Sequence, residues 1–99
     1  LELNGDQFRW SIISSIGERP SPRESHTCVA YKNSSNASSK LILYGGMCGV
    51  RLGDLWIYYI ESGSWIRPNT SGNIPLPRSL HSATIIRNRM FVFGGWVPL

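Results

Sequence analysis

Residues 41–65 read LILYGGMCGVRLGDLWIYYIESGSW, a stretch in which apolar segments alternate with glycine-rich turns. Together with the residues around it, this stretch contains four apolar segments, at about residues 26–31, 41–44, 54–60 and 65–67. Each segment has the length of a strand, and none reaches the length of a helix. The sequence therefore predicts four short strands that are joined by turns.

The third segment is apolar on both of its faces. Every side chain in residues 55–60 is aliphatic or aromatic, so neither the odd nor the even positions offer a polar face to water. A small sheet that is buried on both faces, with no predicted helix to cover it, must stack against further copies of itself. The sequence therefore predicts an all-β fold of the β-propeller type, in which four-stranded antiparallel blades repeat around an axis.

An internal repeat supports this radial arrangement. At a constant offset of 55 residues the same residue types recur in the pairs Trp10 and Trp65, Gly17 and Gly72, Pro20 and Pro75, Pro22 and Pro77, Arg23 and Arg78, and His26 and His81. After the histidine the offset falls to 49, at which Gly45-Gly46 recurs as Gly94-Gly95. We therefore divide the chain into the end of one blade at residues 1–16, a complete repeat at residues 17–68, and the first half of the next repeat at residues 69–99.

Length and composition exclude several classes of protein. The 99 residues have room for one small domain or part of one, and a charged fraction of 16% is low for a disordered chain. The net charge of +4 comes from scattered cations, without the basic stripe of a nucleic-acid-binding protein. The longest apolar run is too short to span a bilayer, and the N-terminus shows neither an initiator Met nor signal features. We expect part of a longer intracellular chain that contacts neither nucleic acid nor membrane directly.

The sequence offers no convincing catalytic, metal or cofactor site. Cys28 and Cys48 lack the spacing of a disulfide framework or a zinc site, and we interpret both as reduced thiols. His26 and His81 occupy equivalent places in the repeat without an acidic or thiol cluster, which favours a repeated structural hydrogen bond over metal binding. The Gly-Gly pairs end strands and do not open helices, so they do not form a phosphate-binding loop.

The motifs of this chain resemble the Kelch repeat. They are Pro22-Arg23 with His26, Gly45-Gly46, Asp54-Leu55-Trp56 with Tyr58, and Trp65 seven residues after that tyrosine. The strings PRESHT (22–27), GDLW (53–56) and FGGWVP (93–98) are most similar to the Kelch domain of the host cell factor family of nuclear transcriptional coregulators. The resemblance covers residues 20–99, and it departs from the general Kelch pattern at Tyr59, where Asp is usual.

This resemblance implies a protein-interaction scaffold, and not an enzyme, that acts in the nucleus with the cytoplasm as a further compartment. It implies the tethering of transcription factors and chromatin-modifying enzymes, and partners that carry a short acidic-His-x-Tyr motif. Two other functions stay open. One is a Kelch substrate adaptor of a ubiquitin ligase, and the other is a propeller enzyme whose catalytic residues lie in other blades.

Eight residues are predicted to serve the structure of the repeat. Gly45, Gly46, Gly94 and Gly95 leave space where a Cβ would collide, either for a positive φ or for an aromatic ring against the backbone. We expect the rings of Tyr58 and Trp65 in that space. His26 and His81 complete the structural set.

Five residues are candidate partner contacts, because the loops of a propeller that lead into successive blades gather on one face: Arg23, Glu24, Arg51, Arg78 and Trp96. Arg23 and Arg78 belong to the repeat and could instead brace the entering loop. Arg51 lies in the glycine-rich loop 47–53 and has no visible repeat counterpart. Glu24 could be a solvated loop residue, and an exposed Trp96 would be an anchor for a partner.

Overall fold

A computed structural model describes residues 1–98 of the protein, and within them it contains ten strands and no helix. In chain order the strands are β1 (Glu2–Asn4), β2 (Gln7–Arg9), β3 (Thr27–Tyr31), β4 (Lys40–Tyr44), β5 (Met47–Cys48), β6 (Val50–Arg51), β7 (Leu55–Tyr59), β8 (Ser64–Ile66), β9 (Ser82–Ile86) and β10 (Arg89–Phe93). Leu99, the last residue of the predicted segment 69–99, lies outside the described residues. The prediction of an all-β fold is confirmed.

The central element is a four-stranded antiparallel sheet with the order β3-β4-β7-β8. Its strands agree with the four predicted segments to within one residue at each end. In the middle of the sheet Leu43 of β4 lies opposite Cys28 of β3 on one side and Trp56 of β7 on the other. The sheet therefore has the strand number and the antiparallel order of one Kelch blade.

Both faces of the central strands are covered. Leu43 and Tyr44 are consecutive in β4 and so point to opposite faces, yet they are only 7% and 4% exposed. In β7 the buried side chains are Trp56 and Tyr58. Burial of each large apolar side chain contributes about 1.5–3 kcal/mol, so the sheet is held by packing on both of its faces.

The hairpin β9–β10 packs beside the blade through β9, which lies against β3. Its half-buried Met90 and Val92 face the blade across a cavity of about 270 Å³ that Tyr44 and Leu55 also line. The side chain of Phe91, on the opposite face of β10, is exposed. Successive sheets therefore lie side by side, as expected of neighbouring blades in a propeller.

The glycine pairs follow β4 and β10, but their contacts differ from the prediction. A Cβ on Gly46 would lie 2.8 Å from the carbonyl oxygen of Glu24 and 2.8 Å from Cβ of His26. The rings of Tyr58 and Trp65 instead pack on each other, with their centroids 4.9 Å apart. The expectation that these rings lie against the glycines is wrong, because Tyr58 pairs with Leu41, four residues and about 13 Å before Gly45.

The polar segment 32–39 forms the connection between β3 and β4 and is largely exposed. Its counterpart between β9 and β10 is a two-residue turn, Arg87-Asn88. Because the entropy of loop closure changes slowly with length, we expect shortening of segment 32–39 to this length in the full-length protein to change the free energy of unfolding by only about 1 kcal/mol. Chemical denaturation of the wild type and the shortened variant tests this prediction. A loss of several kcal/mol would show that the segment is packed.

Candidate functional site: the loop face

Three segments that are distant in sequence meet at one end of the central sheet. Glu24 and Met47 exchange two backbone hydrogen bonds, with nitrogen-to-oxygen distances of 3.0 and 2.8 Å. The amide of Arg78 donates to the carbonyl of Leu52 at 3.1 Å. We call the surface formed by residues 22–26, 47–53 and 77–80, with Trp96, the loop face. The structure therefore brings together the loops that carry Arg23, Glu24, Arg51 and Arg78.

The backbone contact between Glu24 and Met47 recurs in the next repeat. Ser79 and Trp96 exchange backbone hydrogen bonds of 3.1 and 2.7 Å, as Glu24 and Met47 do in the preceding repeat. Trp96 therefore occupies the place of Met47, which is where the sequence alignment puts it. Its side chain is 63% exposed within the described chain.

The loop face also holds two non-glycine residues in the left-handed region. Ser25 and Leu80 lie at equivalent repeat positions and have φ values of 58° and 60°. The amide of Leu80 donates to the carbonyl of Ser25 at 3.0 Å, which joins the two repeats at this point. Such a backbone conformation costs roughly 1–3 kcal/mol for a non-glycine residue. The surrounding hydrogen bonds therefore hold the loop in a defined shape.

Arg23 is buried in the loop face and forms a bidentate ion pair with Asp54. Its Nη1 and Nη2 donate to the two carboxylate oxygens at 2.6 and 2.8 Å, and Nη1 also donates to the carbonyl of Gly45 at 3.1 Å. Hydrogen bonds from Arg23 lower the pKa of Asp54 to about 2 and outweigh the burial that would raise it. The side chain of Arg23 is only 3% exposed, so this geometry favours the bracing interpretation over a partner contact.

Arg78 repeats part of this pattern. Its Nε donates to the carbonyl of Leu76 and its Nη1 to that of Gly94, both at 3.1 Å. Within residues 1–98 it forms no ion pair. Its charge lies near the phenol of Tyr44, whose pKa is raised by burial and lowered in part by that charge. Arg78 is half-buried, so part of it stays accessible on the loop face.

His81 joins the two repeats. Its Nε2 lies 2.9 Å from Oγ1 of Thr27, and its ring meets that of Tyr44 edge to face at 5.2 Å. Burial lowers the pKa of His81 and outweighs the backbone of Tyr44, which raises it, while the charge of Arg78 adds to the lowering. The imidazole is therefore a hydrogen-bonding group between neighbouring sheets.

His26, at the equivalent position, is exposed and forms no such bond within residues 1–98. Among the described residues the expected structural hydrogen bond is therefore found at His81 and not at His26. Within the described part of the chain no three His, Cys, Asp or Glu side chains come together as potential metal ligands. No helix among residues 1–98 is long and apolar enough to cross a membrane.

Arg51 differs from the other two arginines of the loop face. Its backbone pairs with Met47, and its Nε is buried without a hydrogen-bond partner among the described residues. The side chain lines an open cavity of about 410 Å³ together with Asp54, Arg67 and Pro75. Arg51 takes part in no ion pair within residues 1–98, so its charge is available to an anionic ligand at this cavity.

Arg67 is a charged residue at this cavity that the sequence analysis did not select. It follows directly after β8, and its guanidinium carbon lies 6.0 Å from the ring centroid of Trp56. Its position in the preceding repeat, 55 residues earlier, is occupied by Ile12. The criterion that singled out Arg51, a cation without a repeat counterpart, would also have found Arg67.

Comparisons with known proteins point to the same family as the sequence motifs. A family model described as "Host cell factor, Kelch-repeats domain" matches residues 1–99, which extends the similarity to the residues before position 20. Host cell factor 1 of Homo sapiens is 59% identical over 90 residues, covering 91% of this chain and 4% of that protein. Host cell factor of Drosophila melanogaster is 54% identical over 91 residues (92% and 6%), and host cell factor 2 of Homo sapiens is 55% identical over 89 residues (90% and 11%). The chain therefore spans only 4–11% of the length of these three relatives.

Proposed function

The chain belongs to the host cell factor Kelch-repeat family, and on this premise we propose that its loop face is a docking surface of a nuclear scaffold that binds other proteins. Membership of this family supports a protein-interaction module like that of host cell factor. The scaffold would tether transcription factors and chromatin-modifying enzymes. Its action would be binding without chemical turnover.

We further propose that the partners present a short acidic-His-x-Tyr motif to the loop face. The observation that carries this proposal is Arg51, a half-buried arginine that lines an open cavity and takes part in no ion pair within residues 1–98. A carboxylate from a partner would supply the counter-charge, and a charge-assisted hydrogen bond contributes about 1.5–3 kcal/mol where water is excluded. The exposed Trp96 offers a large apolar contact on the same surface.

Charge substitutions at Arg51 in the full-length protein test this function. We expect Arg51→Glu to weaken binding of a synthetic acidic-His-x-Tyr peptide by tenfold or more, because repulsion is added to the lost hydrogen bond. Arg51→Lys should weaken it less, because the charge stays while the planar fork is lost. Calorimetric titration measures each affinity.

A matched control is Arg87→Glu, because Arg87 is an exposed arginine in the β9–β10 turn, away from the loop face. It makes the same change in net charge, and we expect the affinity to stay within about twofold of the wild type. Equal affinities of all variants would remove Arg51 from the site. A loss of affinity that accompanies an equal loss of melting temperature would make Arg51 a structural brace.

A further inference from the structure

We propose that Arg51 and Arg67 form a two-arginine site that binds the dianionic phosphate of a phosphorylated partner side chain. This inference rests on the proposed docking function of the loop face, and it specifies the chemistry of the group that is bound there. Both arginines line the same open cavity of about 410 Å³, which the loop-face residues Leu52, Gly53 and Pro77 also line.

The first argument is the contact that Arg67 makes with an aromatic ring beside the cavity. Its guanidinium lies over Trp56, whose indole Nε1 donates to Oδ2 of Asp54 at 2.7 Å. Asp54 is in turn fixed by the bidentate ion pair with Arg23. A cation–π contact at this distance biases the exposed side chain of Arg67 toward the ring of Trp56. The ring that Arg67 contacts is itself fixed by contacts within the sheet.

The second argument is the charge of the cavity. Among the residues that line it, Asp54 is the single carboxylate, and Arg23 already neutralises it. Neither Arg51 nor Arg67 takes part in an ion pair within residues 1–98. The cavity therefore carries two positive charges that have no ion-pair partner among the described residues.

The third argument concerns the ligand that matches this charge. One carboxylate carries a single charge and would leave one of the two guanidinium groups uncompensated. A phosphate monoester carries about −1.5 to −2 charges at neutral pH and has three strong acceptor oxygens. Two arginines can each bind such a group through parallel hydrogen bonds. The cavity is open to solvent, so a phosphate can reach its lining residues.

The experiment uses the full-length protein and four probes: phosphoserine and aspartate with both termini blocked, inorganic phosphate, and acetate. Calorimetric or NMR titration at fixed ionic strength gives the four affinities. We expect blocked phosphoserine to bind at least tenfold more tightly than blocked aspartate. We also expect it to bind more tightly than inorganic phosphate, because the proposed ligand is a side chain and not the free ion.

Substitutions of single arginines then test which residues bind the phosphate. We expect Arg67→Gln to weaken phosphoserine binding about tenfold, Arg67→Lys to weaken it less, and the control Arg87→Gln to leave it within twofold. If Arg67→Gln lowers the melting temperature, Arg67→Lys, which keeps the charge, provides the test. Equal binding of phosphoserine and aspartate would overturn the proposal, as would tighter binding of inorganic phosphate or an equal effect of Arg87→Gln.

The outcomes separate this inference from the proposed function. If Arg51→Glu abolishes acidic-peptide binding while Arg67→Gln leaves phosphoserine binding unchanged, the docking function stands and the phosphate site is wrong. If phosphoserine binding depends on both arginines while the acidic peptide does not bind, the phosphate site stands and the proposed peptide motif is wrong.

Discussion

Substitution of Gly46 by alanine in the full-length protein is expected to lower the free energy of unfolding by about 3 kcal/mol or more. Gly46 has a φ of 103°, and a Cβ on it would lie 2.8 Å from a backbone oxygen of Glu24. Its amide donates to Arg78 and its carbonyl accepts from Leu52, so the backbone cannot move aside without breaking these bonds. Strain at a positive φ and overpacking each cost about 1–3 kcal/mol. Chemical denaturation measures the change.

Gly49 provides the matched control for this prediction. It also has a positive φ, 73°, but a Cβ there would meet nothing within 4 Å. Gly49→Ala should therefore show the cost of backbone strain alone, about 1 kcal/mol. Equal losses of stability for the two variants would show that the close approach to Glu24 has no energetic weight.

Removal of either partner of the Arg23–Asp54 ion pair should lower the free energy of unfolding by about 3 kcal/mol. The side chains are 3% and 13% exposed, and loss of one partner leaves a nearly buried charge without compensation. In a double-mutant cycle with Arg23→Ala and Asp54→Asn, we expect a coupling energy of about 1.5–3 kcal/mol. Arg87→Ala, at an exposed arginine, is the control and should cost less than about 0.5 kcal/mol. Additive single losses would contradict a direct interaction.

The Arg23–Asp54 ion pair should also affect how the free energy of unfolding changes at acid pH. The pKa of Asp54 is lowered from its ordinary value of 3.8 to about 2 in the folded protein. Its contribution to stability is therefore fully present above about pH 4, and it is lost as the pH falls from there to about 2. We expect the free energy of unfolding of Asp54→Asn to fall less steeply over this range than that of the wild type. Parallel pH profiles of the two proteins would contradict the prediction.

Local patterns in the sequence were sufficient to predict the strands. The four segments could be located to within one residue because the apolar runs and the glycine-rich turns depend only on neighbouring positions. The same patterns predicted a sheet that is covered on both faces, which the burial of Leu43 and Tyr44 confirms. The offset of 49 also placed Trp96 in the position of Met47, and the equivalent bridges Glu24–Met47 and Ser79–Trp96 agree with it, because equivalent positions of a repeat adopt equivalent backbone contacts.

Side-chain contacts within the loop face required the tertiary structure. The sequence left two roles open for Arg23, and its ion pair with Asp54, 31 residues away, depends on the path of the chain between them. The partners of the glycines were predicted wrongly because a sequence pattern shows that space is needed but not which group enters it. Ser25 and Leu80 adopt a left-handed backbone although neither is a glycine, so the sequence pattern did not indicate this conformation.

The sequence by itself therefore determined the fold class, the strand positions and the repeat, because these follow from hydrophobic periodicity and short-range turn chemistry. The tertiary structure alone decided which arginines form ion pairs within the protein and which remain available to bind a ligand. Arg23 is neutralised by Asp54, whereas Arg51 and Arg67 line a cavity with no compensating charge among the described residues. The physical reason is that the environment of a charge depends on groups brought close by folding, and those groups lie far apart along the chain.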